Sequence, residues 1–498
     1  METNNLNKKS PNEILITLGN LFETSRKEND LERLMKSIDI ANNIKLEKFD
    51  ILEKANFYFF LGNAWSYVQG IKYPEIKFEF ESEEIEKRIV YYRKALGFLR
   101  ENNDDFIKCQ VLTNIGNLFN TIGRIVESQE YFNLCLDINP RFGMAIGNKG
   151  FGLFYYARVI FDPHLQFIFM QYSRKYLLDA ILSKDVYPDA KNAYQNILQK
   201  IESTYPIEQL DDFKKYGNYY KKLPKKEIEY RQWCAKNRLF INPLNDILYD
   251  SVIANDYLFV PTMILDNDEK PIYQRIYNQL KQEFVSARYL FFESISRKTP
   301  HFSDKEVVLM DTLDYADYSF SLEKAKISFR ICYSLFDKIA YLINIYFKLG
   351  HDPNNVGFRN IWYTNGKKNK GLKSKILNIK NWPMRGLFWL SKDLDEKGFE
   401  SPIEPEAKEL TLMRNYMEHK SFMITAFSNP DNIKNIETYK IERSLFYEKT
   451  LKVLKLSRSA LLYLSFLIYN EEIERHKNKA DELSISIDMV KIRDKDKL

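Results

Sequence analysis

Cysteine is scarce in this chain. Cys109, Cys135, Cys234 and Cys332 are scattered over 498 residues without C-x-x-C spacing or nearby histidines, a pattern that indicates neither a zinc site nor a disulfide framework. A reducing cytoplasm is the expected setting. Long apolar runs are missing as well: the longest, Leu461 to Tyr469, is broken by Ser465, and spanning a bilayer takes about 20 residues. The opening METNNLNKKS has no apolar signal region, so no membrane role is expected. Charge of one sign is also weak. With 74 Lys+Arg against 68 Asp+Glu the net charge is only +6, and any nucleic-acid contact has to come from a local patch. The chain is rich instead in hydrophobic (45%) and aromatic (15%) residues, enough to fill the cores of two or three domains.

The first organised feature is a repeat. Leu18-Gly19-Asn20-Leu21-Phe22, Leu61-Gly62-Asn63-Ala64-Trp65 and Ile115-Gly116-Asn117-Leu118-Phe119 are variants of one pentapeptide ending in an aromatic. Gly116 and Gly150 are 34 residues apart, and Phe119, Ser128, Phe132, Cys135 and Pro140 fall between them at the aromatic, small and closing-proline positions of a helix pair. This spacing resembles the tetratricopeptide repeat. Gly62 to Gly116 is 54 residues, so about 20 are inserted around Ile71 to Ser82 and before Asp105. The resemblance implies an α-solenoid over residues 10–203, in which glycines let paired helices approach and aromatics fill the gap. Such a superhelix offers a concave surface to a protein or peptide trigger, and nothing in the sequence names that partner.

Residues 204–270 differ in texture. Pro206, Pro224, Pro243 and Pro261 interrupt the periodicity, and the density of aromatics and Asn-Pro suggests an ordered connector, with Asn242-Pro243 and Asn245-Asp246 as turns or caps. From Pro271 the pattern is again helical, with longer helices and no repeat. Candidates are Tyr273 to Arg297, Leu322 to Leu349, Arg385 to Asp395, Glu404 to Phe427 and Glu442 to Arg475, a bundle over 271–478. A charged tail, 479–498, follows, with a strand-like alternation at Leu483 to Ile487. The expected fold is therefore all-α.

Within Glu404 to Phe427, Pro405 and the acids Glu404, Glu406 and Glu409 suit a helix start, and Asn429-Pro430 suits its end. Leu410, Met413, Met417 and Ile424 form a narrow apolar seam. Asn415 and His419 then lie one above the other, away from that seam, with Arg414 on the flank. The run Arg414-Asn415-Tyr416-Met417-Glu418-His419 resembles the signature of the HEPN family: an arginine, four to six residues, then a histidine. Arg158 and His164 share the spacing, but Pro163 interrupts any helix there.

The HEPN resemblance implies a helical bundle and, in the family's ribonucleases, a dimer whose two motifs face each other. Cleavage without a metal or cofactor needs a base for the ribose 2′-OH, an acid for the departing 5′-oxygen and cationic donors on the phosphorane. His419 is the candidate base or acid, Arg414 the bidentate phosphate ligand and Asn415 a polar positioner. Since one histidine does not easily do both transfers, a homodimer is expected, leaving 2′,3′-cyclic phosphate and 5′-hydroxyl ends. Glu418, four residues after Arg414, could pair with it in a resting state. Arg330, Ser334, Asp337, Tyr341 and Asn344 form a polar stripe on an otherwise apolar helix, and by analogy with the family Asp337 is the candidate partner of Arg414 or His419. The alternative for the stripe is a solvated face.

Lys367, Lys368, Lys370, Lys373, Lys375 and Lys380 stand in 14 residues without an acid, flanked by Trp362, Tyr363 and Trp382. That composition suits RNA, with phosphates on the lysines and unstacked bases on the rings, although a charge run can equally be a solvated loop. Other readings are an inactive HEPN and repeat scaffold, or a toxin silenced by modification of a tyrosine after the histidine. Lys420 and Ser421 follow His419 and weaken the last. By resemblance, the setting is a microbial toxin or phage-defence system.

Overall fold

Side-chain caps fix where the N-terminal helices begin. The structure, a computed structural model, describes all residues except 1–5, 7, 75–77, 101–103, 215, 264–270, 297–298, 395–406, 428–436, 479–489 and 498. Ser10 and Asp50 each accept the backbone N–H three residues ahead, and Glu13 and Glu53 accept the cap's own N–H in return. Asp30, Ser82, Asp104 and Asp162 cap further starts. The helices are α1 (Pro11–Lys27), α2 (Leu31–Asn42), α3 (Ile51–Lys72), α4 (Glu83–Phe98), α5 (Asp105–Thr121), α6 (Ile125–Ile138), α7 (Gly143–Ala157), α8 (Pro163–Leu182) and α9 (Pro188–Glu202). They pack as the successive pairs α1–α2, α3–α4, α5–α6 and α7–α8.

Glycine and ring meet across two of these pairs. A Cβ on Gly62 would stand 2.4 Å from the ring of Tyr92, and one on Gly116 would stand 2.5 Å from Phe132, so the aromatic occupies the space the glycine vacates. The segment before α4 packs toward the C-terminal half: Phe80 meets Phe388 edge-on at 5.6 Å, and Phe78 lies under Arg385.

The connector runs through the interior. It contains α10 (Ile207–Asp211) and α11 (Lys225–Lys236), and every residue from Leu239 to Leu248 is buried. Asn242 accepts the Leu244 N–H at 3.0 Å and caps the short turn Pro243–Asp246. Its buried carbonyls are satisfied from outside: Arg458 donates to the oxygens of Phe240 and Asn242 and to the Asp246 carboxylate at 2.7 Å. Asp246 also accepts the Tyr156 hydroxyl at 2.8 Å. Asp246 thus joins a repeat helix to a C-terminal one.

The C-terminal half comprises α12 (Ile272–Ser296), α13 (Phe320–Tyr346), α14 (Ser374–Leu377), α15 (Trp382–Lys392), α16 (Ala407–His419), β1 (Ser421–Thr425), β2 (Thr438–Glu442) and α17 (Arg443–Asn478). Helices α12, α13 and α15 pack on α17, and the apolar run of the sequence forms the buried middle of α17. The fold is all-α apart from one exception: β1 and β2 pair in parallel, Ser421 with Thr438 through Thr425 with Glu442. The helix expected over Glu404 to Phe427 therefore ends at His419. Ile424 is buried and Phe422 stacks on Tyr439 of β2, and pairing to β2 outweighs helix propensity, which is a weak local preference. Glu404, Pro405, Glu406, Asn429-Pro430 and the Leu483 to Ile487 alternation lie outside the described residues.

One hydrophobic core extends from α3 to α17, and a buried charge cluster joins its halves. Asp393, at the end of α15, accepts Arg93 at 2.8 and 3.0 Å and also binds Arg124. Arg124 donates to Glu127, which in turn accepts the Tyr463 hydroxyl. Burial alone would raise the Asp393 pKa, but Arg124 and Arg93 outweigh it and hold the carboxylate well below its usual range. Next to this cluster the backbones touch: Gly123, at φ +87°, and Gly386 leave no room for a Cβ on either. Replacing Asp393 by Asn should cost about 3–5 kcal/mol at pH 7, because two buried guanidiniums lose their carboxylate. A lowered carboxylate pKa stabilises above its unfolded value and is lost as pH falls through the folded one. In urea melts, the gap between wild type and variant should therefore narrow only below about pH 4.

Candidate functional site

The three signature residues lie in the last two turns of α16. Leu410 and Met413 are fully buried and Met417 half-buried, while Arg414 and Asn415 are half-buried and His419 is exposed. The seam and the outward face are those of the 3.6 period, and Ile424 completes the seam from β1 rather than from the helix. Arg414 donates to the Asn415 side-chain oxygen at 3.3 Å. Among the described residues it forms no ion pair with Glu418, so most of the guanidinium remains for a ligand. Lys420 lies 4.8 Å above the Tyr416 ring and adds a second cation beside His419.

Side-chain bonds hold this helix against its neighbours. The Thr411 hydroxyl meets the Tyr333 hydroxyl at 3.2 Å and the Leu394 carbonyl at 3.3 Å. The Glu409 carboxylate accepts Tyr439 of β2 at 2.8 Å and pairs with the buried Lys449 of α17 at 2.6 Å. Burial, and then the adjacent Glu409 charge, push the Tyr439 phenol well above its ordinary pKa, so it serves as a donor.

Asp337 and the aromatics beside the lysine loop have partners of their own. Asp337 accepts the Phe358 backbone N–H at 2.9 Å, so it organises the loop after α13, and no hydrogen bond among the described residues joins it to Arg414 or His419. The rest of its stripe is mixed, with Tyr341 exposed and Asn344 buried and bonded to His351. The aromatics flanking the lysine loop are structural too. Trp362 and Tyr363 are buried, the former donating to the Phe358 carbonyl, while Trp382 donates to the Thr121 carbonyl across the domain contact. Trp362 and Tyr363 offer no open face to a base, while Trp382 is half-buried.

The loop itself stays accessible at Lys367, Lys370, Lys375 and Lys380, with Lys368 and Lys373 half-buried. Its position separates it from His419. Lys375 donates to the Lys348 carbonyl just beyond the end of α13, whereas β1, directly after His419, bonds to Ala316 and Asp317 just before its start. A 27-residue helix spans about 40 Å at 1.5 Å per residue. The lysine loop is thus anchored at one end of α13 and the far end of the strand that follows His419 at the other. The competing pair Arg158 and His164 falls on two helices, with Pro163 at the start of α8.

Residues 264–471 match the family model described as LA2681-like HEPN. The match takes in α12 to α16, both strands and most of α17, and so contains the Arg414 to His419 run. No curated protein and no solved structure matches the chain. The matched region therefore comprises most of α17, the helices packed on it and the small sheet, and its outward side beyond α16 carries the candidate residues. No helix among the described residues is long and apolar enough to cross a membrane.

Sequence reasoning read Glu409 only as an acid suited to the helix start and missed Tyr439 and Lys449, which hold α16 from β2 and α17. The acid at the first turn of α16 was legible; its partners, 30 and 40 residues later, were not. Glu409→Ala should lower stability by roughly 1–3 kcal/mol in denaturant titrations, because two buried polar groups lose this acceptor, and Tyr439→Phe by about 1 kcal/mol.

Proposed function

We propose that the chain is a metal-independent endoribonuclease of the HEPN type, working as a dimer in which two Arg414 to His419 motifs form one composite site. The observation that carries the reading is the exposed histidine one helical turn beyond a largely unengaged arginine, inside the region that matches a HEPN family. Arg414 holds the scissile phosphate as a fork, Asn415 fixes the arginine and a ribose or phosphate oxygen, and His419 moves the proton. The second copy's His419 completes the acid–base pair, and the products carry 2′,3′-cyclic phosphate and 5′-hydroxyl ends.

In this reading Lys367, Lys368, Lys370, Lys373 and Lys375 bind the RNA strand away from the cut, through phosphates alone. The tetratricopeptide-like solenoid is the docking surface for a protein or peptide trigger, in a toxin or phage-defence setting. An inactive scaffold is the second reading, favoured by the engagement of Asp337 with the Phe358 amide and by the distance of the lysine loop from His419.

Incubation with total RNA in excess EDTA should give cleavage by the wild type, and Arg414→Ala and His419→Ala should each reduce it by at least about a hundredfold, the usual scale of a lost acid–base or charge-stabilising group. Cutting that survives His419→Ala would remove this residue from the mechanism. Lys367→Ala with Lys370→Ala should weaken RNA binding and reduce the slope of log K against log salt by about 1.4, at about 0.7 per single-strand phosphate contact. An unchanged slope in filter binding would leave the loop a solvated one.

A further inference from the structure

We infer that the segment from Phe302 to Tyr318, between α12 and α13, is the surface on which a second copy of this chain docks. The inference rests on the two-copy reading above. In this segment Val308, Leu309, Met310, Leu313, Tyr315 and Tyr318 are 56–87% exposed, a density of open apolar side chains that a monomer rarely carries. Together they present roughly 900 Å², close to the ~800 Å² that each partner contributes to a standard interface.

The segment is continuous with the candidate site. Ala316 bridges Thr425, the Asp317 N–H donates to the Ile424 carbonyl at 2.8 Å, and the Ala426 N–H donates to the Tyr315 carbonyl at 3.3 Å. It therefore flanks the strand that directly follows His419. A copy seated here lies against the strand that follows His419.

Three of its acids are engaged locally, which favours pairing of like with like. Asp317 pairs with Arg443, Asp314 stands 4.0 Å from Lys440, and Asp304 accepts the Phe320 N–H. The most exposed side chains from Val308 to Tyr318 are mainly apolar, with Lys305, Glu306, Asp311 and Thr312 exposed beside them, and a two-fold interface sets the same patch against itself. The segment also encloses a hollow of about 460 Å³ lined by Leu309, Met310, Leu313, Tyr315 and Tyr318, with room for a partner side chain. Glu306, Leu313 and Tyr315 hold left-handed backbone, with φ of 62°, 59° and 58°, which bulky residues rarely adopt.

The test uses the full chain carrying Val308→Asp, Met310→Asp and Leu313→Asp, with mass read by light scattering and folding by circular dichroism. The wild type should be dimeric. The triple variant should keep its helix content and raise the dimer Kd by at least about tenfold, as loss of an interface anchor does. A monomeric wild type or a folded triple variant that stays dimeric overturns the inference. A second measurement needs no variant: amide exchange over 305–318 in the wild type should slow at concentrations where the dimer forms, and unchanged exchange overturns it as well. The two readings fail separately. If the triple variant dissociates while His419→Ala still cuts RNA, the docking surface stands and the catalytic assignment falls. If His419 is required but the folded triple variant remains a dimer, the reverse holds.

Discussion

A single buried carboxylate organises the joint between the two halves of this protein. Asp393, 2% exposed, takes bonds from Arg93 and Arg124 on two different repeat helices while belonging to the helix that packs on α17. Buried charges are costly unless their partners are well placed, and here the second arginine is shared with Glu127, itself bonded to Tyr463. Asp246 repeats the device, between Tyr156 and Arg458. These bonds join elements hundreds of residues apart, and the touching backbones of Gly123 and Gly386 fix their separation.

That joint constrains how any signal from the repeats reaches α16. The two halves share one core, so any coupling between them runs through packing rather than through a domain swinging on a linker. The route from Asp393 is short: Leu394 follows it in sequence, and the Leu394 carbonyl accepts the hydroxyl of Thr411, two turns before His419.

Local patterns were legible in the sequence, and long-range ones were not. Gly62 and Gly116 announced close helix pairs because a glycine beside an aromatic two helices' width away recurs with the repeat, and Tyr92 and Phe132 occupy those gaps. The outward face of Arg414, Asn415 and His419 followed from the helical period, since it depends only on the ten residues around it. The strand at Ser421 did not: it exists because β2 lies alongside, and nothing within Ser421 to Thr425 requires that neighbour. Trp362 and Tyr363 looked like part of a base-stacking rim because composition does not record burial. The bond from the Phe358 amide to Asp337 was equally invisible, being set by a loop 21 residues later. The arm from Phe302 to Tyr318, with its exposed aliphatic side chains, reads in sequence like any half-buried strand.

The composite site is the central claim, and subunit mixing tests it most directly. Wild-type protein is re-equilibrated with increasing fractions of His419→Ala at constant total concentration, and the initial rate of RNA cleavage is followed. If both copies supply a required histidine, the rate falls as the square of the wild-type fraction. A rate falling in direct proportion to that fraction would mean that each chain cuts alone, and would contradict the account.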